Sequence, residues 1–388
     1  VIEVVGIGED GWAGLTTAAR AALADAQVVL GSPRQLALVA GHVARTECWP
    51  APMAPALAAL AGRPERIAVL ASGDPLLHGV GASLVRLHGP GALRVHPHLS
   101  SVTLACARLG WPVADVEVVS LIARPVSVLL SHLAGGRRLL VLTSGDAAEI
   151  AVSLTGAGFG ASTMTVLARL GGPAETVAAG RADTWPGAEH DPLAVVAIDC
   201  RGEGRSRLAG LPDASYDSDG ALTKAEVRAV TLAALGPRPG ELLWDLGAGS
   251  GSVAIEWMRA HPACRAVAVE ARQVRADRIV RNAESLGVPG LAVVSGTAPA
   301  ALADLPRPDA VFLGGGITSP GIVEAVLAAQ PSRLVANVVT VEGESLLAHL
   351  AGEHGGSLTR IAVSRAEPVG GFTAYKPAIA VTQWRLAL

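Results

Sequence analysis

Asp245 stands near the end of a strand-like run, Leu242–Leu246, and glycines follow at 247, 249 and 251 in LLWDLGAGSGSVAIE (242–256). Bare backbone there turns sharply and lets a ligand approach without Cβ clashes. A second acid, Glu270, closes the next run, AVAVEAR (266–272). A carboxylate at that strand end can accept both hydroxyls of a ribose. The dinucleotide fingerprint G-x-G-x-x-G needs a third glycine at 252, and the residue is Ser252. An acid two residues before the first glycine also disfavours a pyrophosphate. These residue types suit a cationic nucleoside with an amino-acid tail.

S-adenosylmethionine (SAM) meets that description, with a sulfonium, an ammonium and no phosphate. VVSGTAPAAL (293–302) places Gly296, Thr297 and Ala298 where they could flank its adenine, and AVFLGGG (310–316) opens onto the same corner. The first half offers weaker signals. Gly6, Gly8 and Gly11 of VVGIGEDGWAGLT fit G-x-G-x-x-G, but no acid closes the expected second strand. VLASGDPLLHGVGASL (69–84) ends a buried strand in Gly73-Asp74-Pro75, where Asp74 can accept hydrogen bonds and Pro75 sets the turn. HPHLSSVTLA (96–105) places Ser100 and Ser101 at a strand-to-helix turn. His96 and His98 flank Pro97 with no carboxylate or cysteine beside them, so they read as turn or cleft packing and no metal site is expected. His78 either faces a cleft or merely starts a helix.

The elements that must position these residues alternate along the chain. In the second half, strand-like runs at Leu242–Leu246, Ala266–Glu270, Leu291–Ser295, Ala310–Leu313, Leu334–Val339, Leu358–Ser364 and Ile379–Trp384 are spaced by helical periodicity, as in Ser252–Arg259 and Gln273–Leu286. That pattern predicts an α/β fold with a largely parallel sheet covered on both faces. The last two runs, joined by the turn-rich Arg365–Pro377, predict an antiparallel edge hairpin. The first half alternates less cleanly, with runs at Ile2–Val5, Val28–Leu30, Ile67–Ala71, Leu93–Val95, Val116–Val119, Leu139–Leu142, Thr165–Leu167 and Ala194–Ile198. The Gly-, Ser- and Asp-rich stretch 201–220 lacks a sustained apolar period. The expected organisation is one domain over 1–204, a linker over 205–220 and a second domain over 221–388.

The 388 residues suit two domains. A net charge of -3 leaves no footprint for nucleic acid or an anionic membrane, and neither is expected as a partner. Cys48, Cys106, Cys200 and Cys264 are scattered without a C-x-x-C, which fits a reducing compartment. The first run starts at Ile2, and no basic-then-apolar leader is expected. The uncharged Ile150–Ala168 is interrupted by glycines and reads as helix, turn and buried strand. A cytoplasmic protein is expected.

The second half resembles the class I SAM-dependent methyltransferases, with their Rossmann-like seven-stranded sheet. The N-terminal G-x-G loop, the G-D-P turn and the small-residue turn resemble the tetrapyrrole methylases, which bind SAM between two α/β lobes. That resemblance implies cofactor contacts for Gly73, Asp74, Leu77, Ser100 and Ser101. The first loop departs from the G-x-G-P-G of many relatives by carrying Glu9 and Asp10. The pairing of the two halves, with LTKAEVRAVTLAALGPRPGELLWDLGAGSGSVAIEW (222–257), resembles the fused, decarboxylating precorrin C5,15-methyltransferases of cobalamin biosynthesis. The resemblance implies SAM-dependent methylation of precorrin-6B at C5 by the first half. It implies methylation at C15, with loss of the ring C acetate carboxyl, by the second, giving precorrin-8. It also implies a homo-oligomer, up to a tetramer through the second half. Precorrins carry many carboxylates, so Lys224, Arg228, Arg272 and Lys376 are candidate substrate-binding cations. No catalytic nucleophile is visible. Action on another tetrapyrrole, or a SAM-binding sensor without turnover, are the alternatives.

Overall fold

The computed structural model describes residues 1–143, 145–187 and 190–388, which form two compact units. The first comprises 1–126 and 134–203, and the second 127–133 and 204–388.

The first unit carries two five-stranded sheets. In chain order the first holds β1 (Ile2–Ile7), β2 (Val28–Gly31), β3 (Thr46–Cys48), β4 (Ile67–Ser72) and β5 (Leu93–His96). They are all parallel, in the spatial order β3-β2-β4-β1-β5. Val4, Val5, Val28, Val29, Val69 and Leu70 are fully buried, because helices cover both faces and the runs need no polar side. The second sheet holds β6 (Val116–Ser120), β7 (Arg138–Thr143), β8 (Thr163–Ala168), β9 (Thr176–Arg181) and β10 (Ala194–Asp199), in the order β6-β7-β10-β8-β9. β3 and β9 escape the sequence reading. Both are edge strands, and β9 is almost wholly exposed, so neither carries an apolar run. The uncharged Ile150–Ala168 folds as the end of the helix Ala147–Gly156, a turn and β8.

The second unit is built on seven strands: β11 (Leu242–Leu246), β12 (Arg265–Glu270), β13 (Ala292–Ser295), β14 (Ala310–Leu313), β15 (Arg333–Val338), β16 (Ser357–Ile361) and, after an outlying hairpin of β17 (Ser364–Val369) and β18 (Phe372–Pro377), β19 (Val381–Ala387). The order is β13-β12-β11-β14-β15-β19-β16, with β19 antiparallel to both neighbours. The last two strands of the sheet therefore pair antiparallel as expected, but the later one sits inside the sheet. The stretch expected as turn-rich, 365–377, is the β17–β18 hairpin, whose strands are mostly exposed.

Pleat parity divides the core. Leu242, Trp244 and Leu246 pack with Val311, Leu334, Leu347 and Trp384 on one face. Leu243 packs with Phe312, Val335, Trp257 and Ile279 on the other. The segment expected as a linker is part of this unit. Leu211 and Tyr216 are buried in the second cluster, which short polar stretches around them concealed in the sequence. No described helix is long and apolar enough to cross a membrane.

Candidate active site

In the second unit, Gly247 follows β11 at φ +69°, and a Cβ there would meet the Gly315 backbone at 3.0 Å. Only glycine permits both the conformation and the approach. The loop spends its amides internally. Gly247 and Ala248 both donate to the Val269 carbonyl, at 3.0 and 3.2 Å, and Gly251 donates to Ala248 at 2.8 Å. Gly249 donates to Glu270 Oε2 at 2.9 Å, and Arg272 N donates to Glu270 Oε1 at 3.0 Å. Four amides of the loop are thus occupied within the protein, and the Glu270 carboxylate is the charge at its edge. The corner fits a phosphate-free, cationic nucleoside.

Gly247, Ala248, Gly249, Glu270, Arg272, Gly296, Thr297 and Ala298 line one cavity of about 820 Å³, with Lys224 and Gly314–Gly316 on its wall. The volume is in the range of small-molecule sites. The structure thus gathers most of the residues that the sequence singled out, from the carboxyl ends of four parallel strands, where open α/β sheets bind ligands.

Four expected residues lie elsewhere. Asp245 shares the parity of Leu243, so its side chain turns away from the cavity, under the helix Ser252–Ala260. It is 1% exposed, and Oδ2 accepts from Ala254 N at 3.0 Å. Oδ1 has no hydrogen-bond partner among the described residues. Burial pushes this carboxyl up to about 7; the Ala254 bond opposes the rise and nearby Glu270 adds to it. Gly251 is buried at φ +77°, where a Cβ would meet Ile279 Cγ2 at 2.7 Å. Asp245 and Gly251 therefore shape the loop from behind and do not line the cavity.

Arg228 is 0% exposed and cannot reach a substrate. Its Nε donates to Glu256 Oε1 at 2.6 Å, and its other nitrogens donate to Asp213 and to the Thr223 and Leu211 carbonyls. Glu256 also accepts from Tyr216 Oη at 2.8 Å and from the amides of Gly210 and Leu211. Burial and the adjacent Glu256 charge push the Tyr216 phenol well above its ordinary value. Lys376 sits on the β17–β18 hairpin, away from the cavity lining, and pairs with Glu367 at 3.3 Å. Lys224 does line the cavity and pairs with Asp213 at 3.6 Å. Arg275 and Arg365 also line it, though neither was singled out; their signal was only a charge on a helix or in a turn-rich stretch.

The first unit has a cavity of about 410 Å³ lined by Gly8, Glu9, Arg34, Ser72, Gly73, Leu77, His78, Ser101 and Thr143. Gly73, at φ +58°, donates to Ile7 at 2.9 Å and ties the G-D-P turn to the first glycine loop. Asp74 and Ser100 do not line the cavity. Asp74 Oδ1 accepts from Leu76 N at 2.8 Å, and Ser100 Oγ caps the helix Ser101–Leu109 by accepting from Thr103 N at 3.0 Å. Glu9 lines the cavity and joins Arg34 and, at 3.0 Å, Arg169. His96 meets Glu3 at 2.7 Å and His98 meets Asp10 at 3.4 Å. No group of three or more potential metal-binding residues occurs among the described residues.

The family of tetrapyrrole (corrin/porphyrin) methylases matches residues 1–185, and that of the precorrin methyltransferase domain matches 214–388. The precorrin-6Y C(5,15)-methyltransferase [decarboxylating] of Sinorhizobium sp is 46% identical over 393 residues, spanning 99% of this chain and 95% of that protein. The chain belongs to the decarboxylating precorrin-6Y C(5,15)-methyltransferases. The member from Mycobacterium tuberculosis strain CDC 1551 is likewise 46% identical, over 99% of each chain. A crystal structure of the C-terminal domain from the Rhodobacter capsulatus member is 44% identical, covering 47% of this chain and all of that one, with a TM-score of 0.45. The members of this family are SAM-dependent, decarboxylating C-methyltransferases.

Proposed function

We propose that the chain methylates precorrin-6B at C5 and C15 and decarboxylates its ring C acetate, giving precorrin-8 in cobalamin biosynthesis. Residues 1–204 act at C5; residues 221–388 act at C15 and release carbon dioxide. The observation that carries the reading is that relatives named for both methylations align over nearly the whole chain. SAM, when bound, supplies an already activated methyl group on a sulfonium.

What the protein adds is alignment and exclusion of water. In the second unit, Glu270 accepts the ribose hydroxyls, and Gly296, Thr297 and Ala298 flank the adenine. Gly247 and Gly249 give the ligand its approach, with Asp245 and Gly251 fixing that loop from beneath. Lys224 and Arg272, at the cavity wall, take substrate carboxylates. Decarboxylation uses the conjugated macrocycle as its electron sink and needs no nucleophilic side chain. In the first unit Gly73, Leu77 and Ser101 contact SAM, with Asp74 and Ser100 holding their turns. Four free cysteines support a cytoplasmic setting. Phe372 and Tyr375, exposed on the β17–β18 hairpin, support self-association through the second unit, up to a tetramer. Sedimentation of the intact chain tests that assembly.

The deciding experiment incubates the full chain with methyl-labelled SAM and precorrin-6B. Two labelled methyl groups, located by NMR at C5 and C15, and one carbon dioxide per ring are expected. One methyl group without carbon dioxide, or none, overturns the assignment.

A further inference from the structure

We propose that His78 is the base that removes the meso proton during C5 methylation in the first unit. The inference rests on the reaction assigned above. Transfer of methyl from a sulfonium to carbon turns a cation into a neutral sulfide, so each transfer must release one proton. The enamine π pair of the meso carbon forms the new C–C bond, and the S–C pair stays on sulfur. The ring is left as an iminium; the C–H pair then returns to the macrocycle, and the proton passes to the imidazole and on to water. A base within reach of that carbon is therefore required.

Among the described residues, the titratable side chains on the cavity wall are Glu9, Arg34 and His78. Glu9 is held by Arg34 and by Arg169, and Arg34 also donates to Ser72 Oγ at 2.6 Å. His78 makes no hydrogen bond or ion pair among the described residues, and it is exposed. Its nearest acid in sequence, Asp74, is turned into its own loop by Leu76 N. Among the described residues, the imidazole is thus the unpartnered basic group of this wall.

The backbone fixes it there. His78 has φ +53°, a left-handed conformation that a residue with a side chain seldom adopts. Leu77 N closes on the Asp74 carbonyl at 3.2 Å, and Gly79 and Gly81 press on Pro75, where a Cβ on either would meet its carbonyl oxygen at 2.7 Å. The compact Gly73–Gly81 turn holds His78 on the same cavity wall as Gly73 and Leu77, which the proposed function places against the cofactor. Residues held this way cluster at active sites.

The test uses the full chain, precorrin-6B and SAM, comparing wild type with His78→Gln and His78→Ala. C5 methylation should slow roughly 100-fold or more through kcat, with KM for the ring within about threefold. C15 methylation and carbon dioxide release should be unchanged. Calorimetric affinity of the first unit for S-adenosylhomocysteine should stay within about twofold of wild type, and added imidazole should restore part of the His78→Ala rate. C5 rates near wild type in both variants overturn the proposal. So does a loss of S-adenosylhomocysteine affinity that matches the loss of rate, which makes His78 a cofactor contact. If the wild-type chain itself leaves C5 unmethylated, the assigned reaction fails, and the base with it.

Discussion

Replacing Asp245 with asparagine should make the second unit more stable in alkali and leave it little changed in acid. The carboxyl is raised by burial from an ordinary 3.8 to about 7, with the Ala254 amide as its one donor among the described residues. That rise corresponds to roughly 4 kcal/mol against the ionised form. Because the folded-state value lies above the unfolded one, the stabilising contribution is present below about pH 4. It is lost as pH climbs through about 7. Roughly 2 kcal/mol of the loss falls between pH 5.5 and 8.5. An asparagine oxygen still accepts from Ala254 N and carries no charge, so the variant should shed this part of the pH dependence. Hydrogen exchange of a peptide spanning 242–260, followed in urea at both pH values, measures the local opening free energy. Wild type should fall relative to Asp245→Asn by roughly 2 kcal/mol across that window. Parallel curves would refute the claim that a buried, half-satisfied carboxyl underlies the loop.

Gly247→Ala places a Cβ 3.0 Å from the Gly315 backbone at φ +69°. It should lower C15 methylation at least tenfold, through SAM affinity, and spare C5 methylation, as product NMR can check. Arg228→Met strands Glu256 in the core and should destabilise the second unit by roughly 3–5 kcal/mol in chemical denaturation. Adding Glu256→Leu to it should recover part of the loss. Arg272→Ala should raise KM for the tetrapyrrole in the C15 reaction several-fold, and Lys376→Ala should not, because only Arg272 lines the cavity.

The strand-end acid, the alternating glycines and Glu270 were legible because they are local: a run, a turn and a second run within thirty residues or so. Which way each side chain faces was not. All five residues of β11 are buried, so the run has no polar side from which to read its parity, and Asp245 looked like a ligand contact. Arg228 looked like a cation free to bind substrate because its partner, Glu256, is separated from it by a turn, a strand and a loop; only the fold brings them together. Lys376 failed differently. A stretch without apolar alternation concealed a hairpin outside the main sheet, whose Arg365, and not Lys376, lines the cavity. In the first unit the G-D-P signature marked the correct turn, yet Gly73 and Leu77 reach the cavity while Asp74 folds back on Leu76. Sequence spacing located the corners, and long-range packing decided which atoms face inward.

The placement of β19 between β15 and β16 has a bearing on how the polypeptide matures. Residues 381–387 fill a slot flanked by segments made earlier, so a nascent chain that has emerged only to residue 363 carries two unsatisfied ladders, on Arg333–Val338 and Ser357–Ile361. Vectorial synthesis cannot seal this sheet piecemeal. The sheet closes only when 381–387 docks between its two neighbours, and a chain cut between 361 and 381 should yield a sticky, protease-sensitive product.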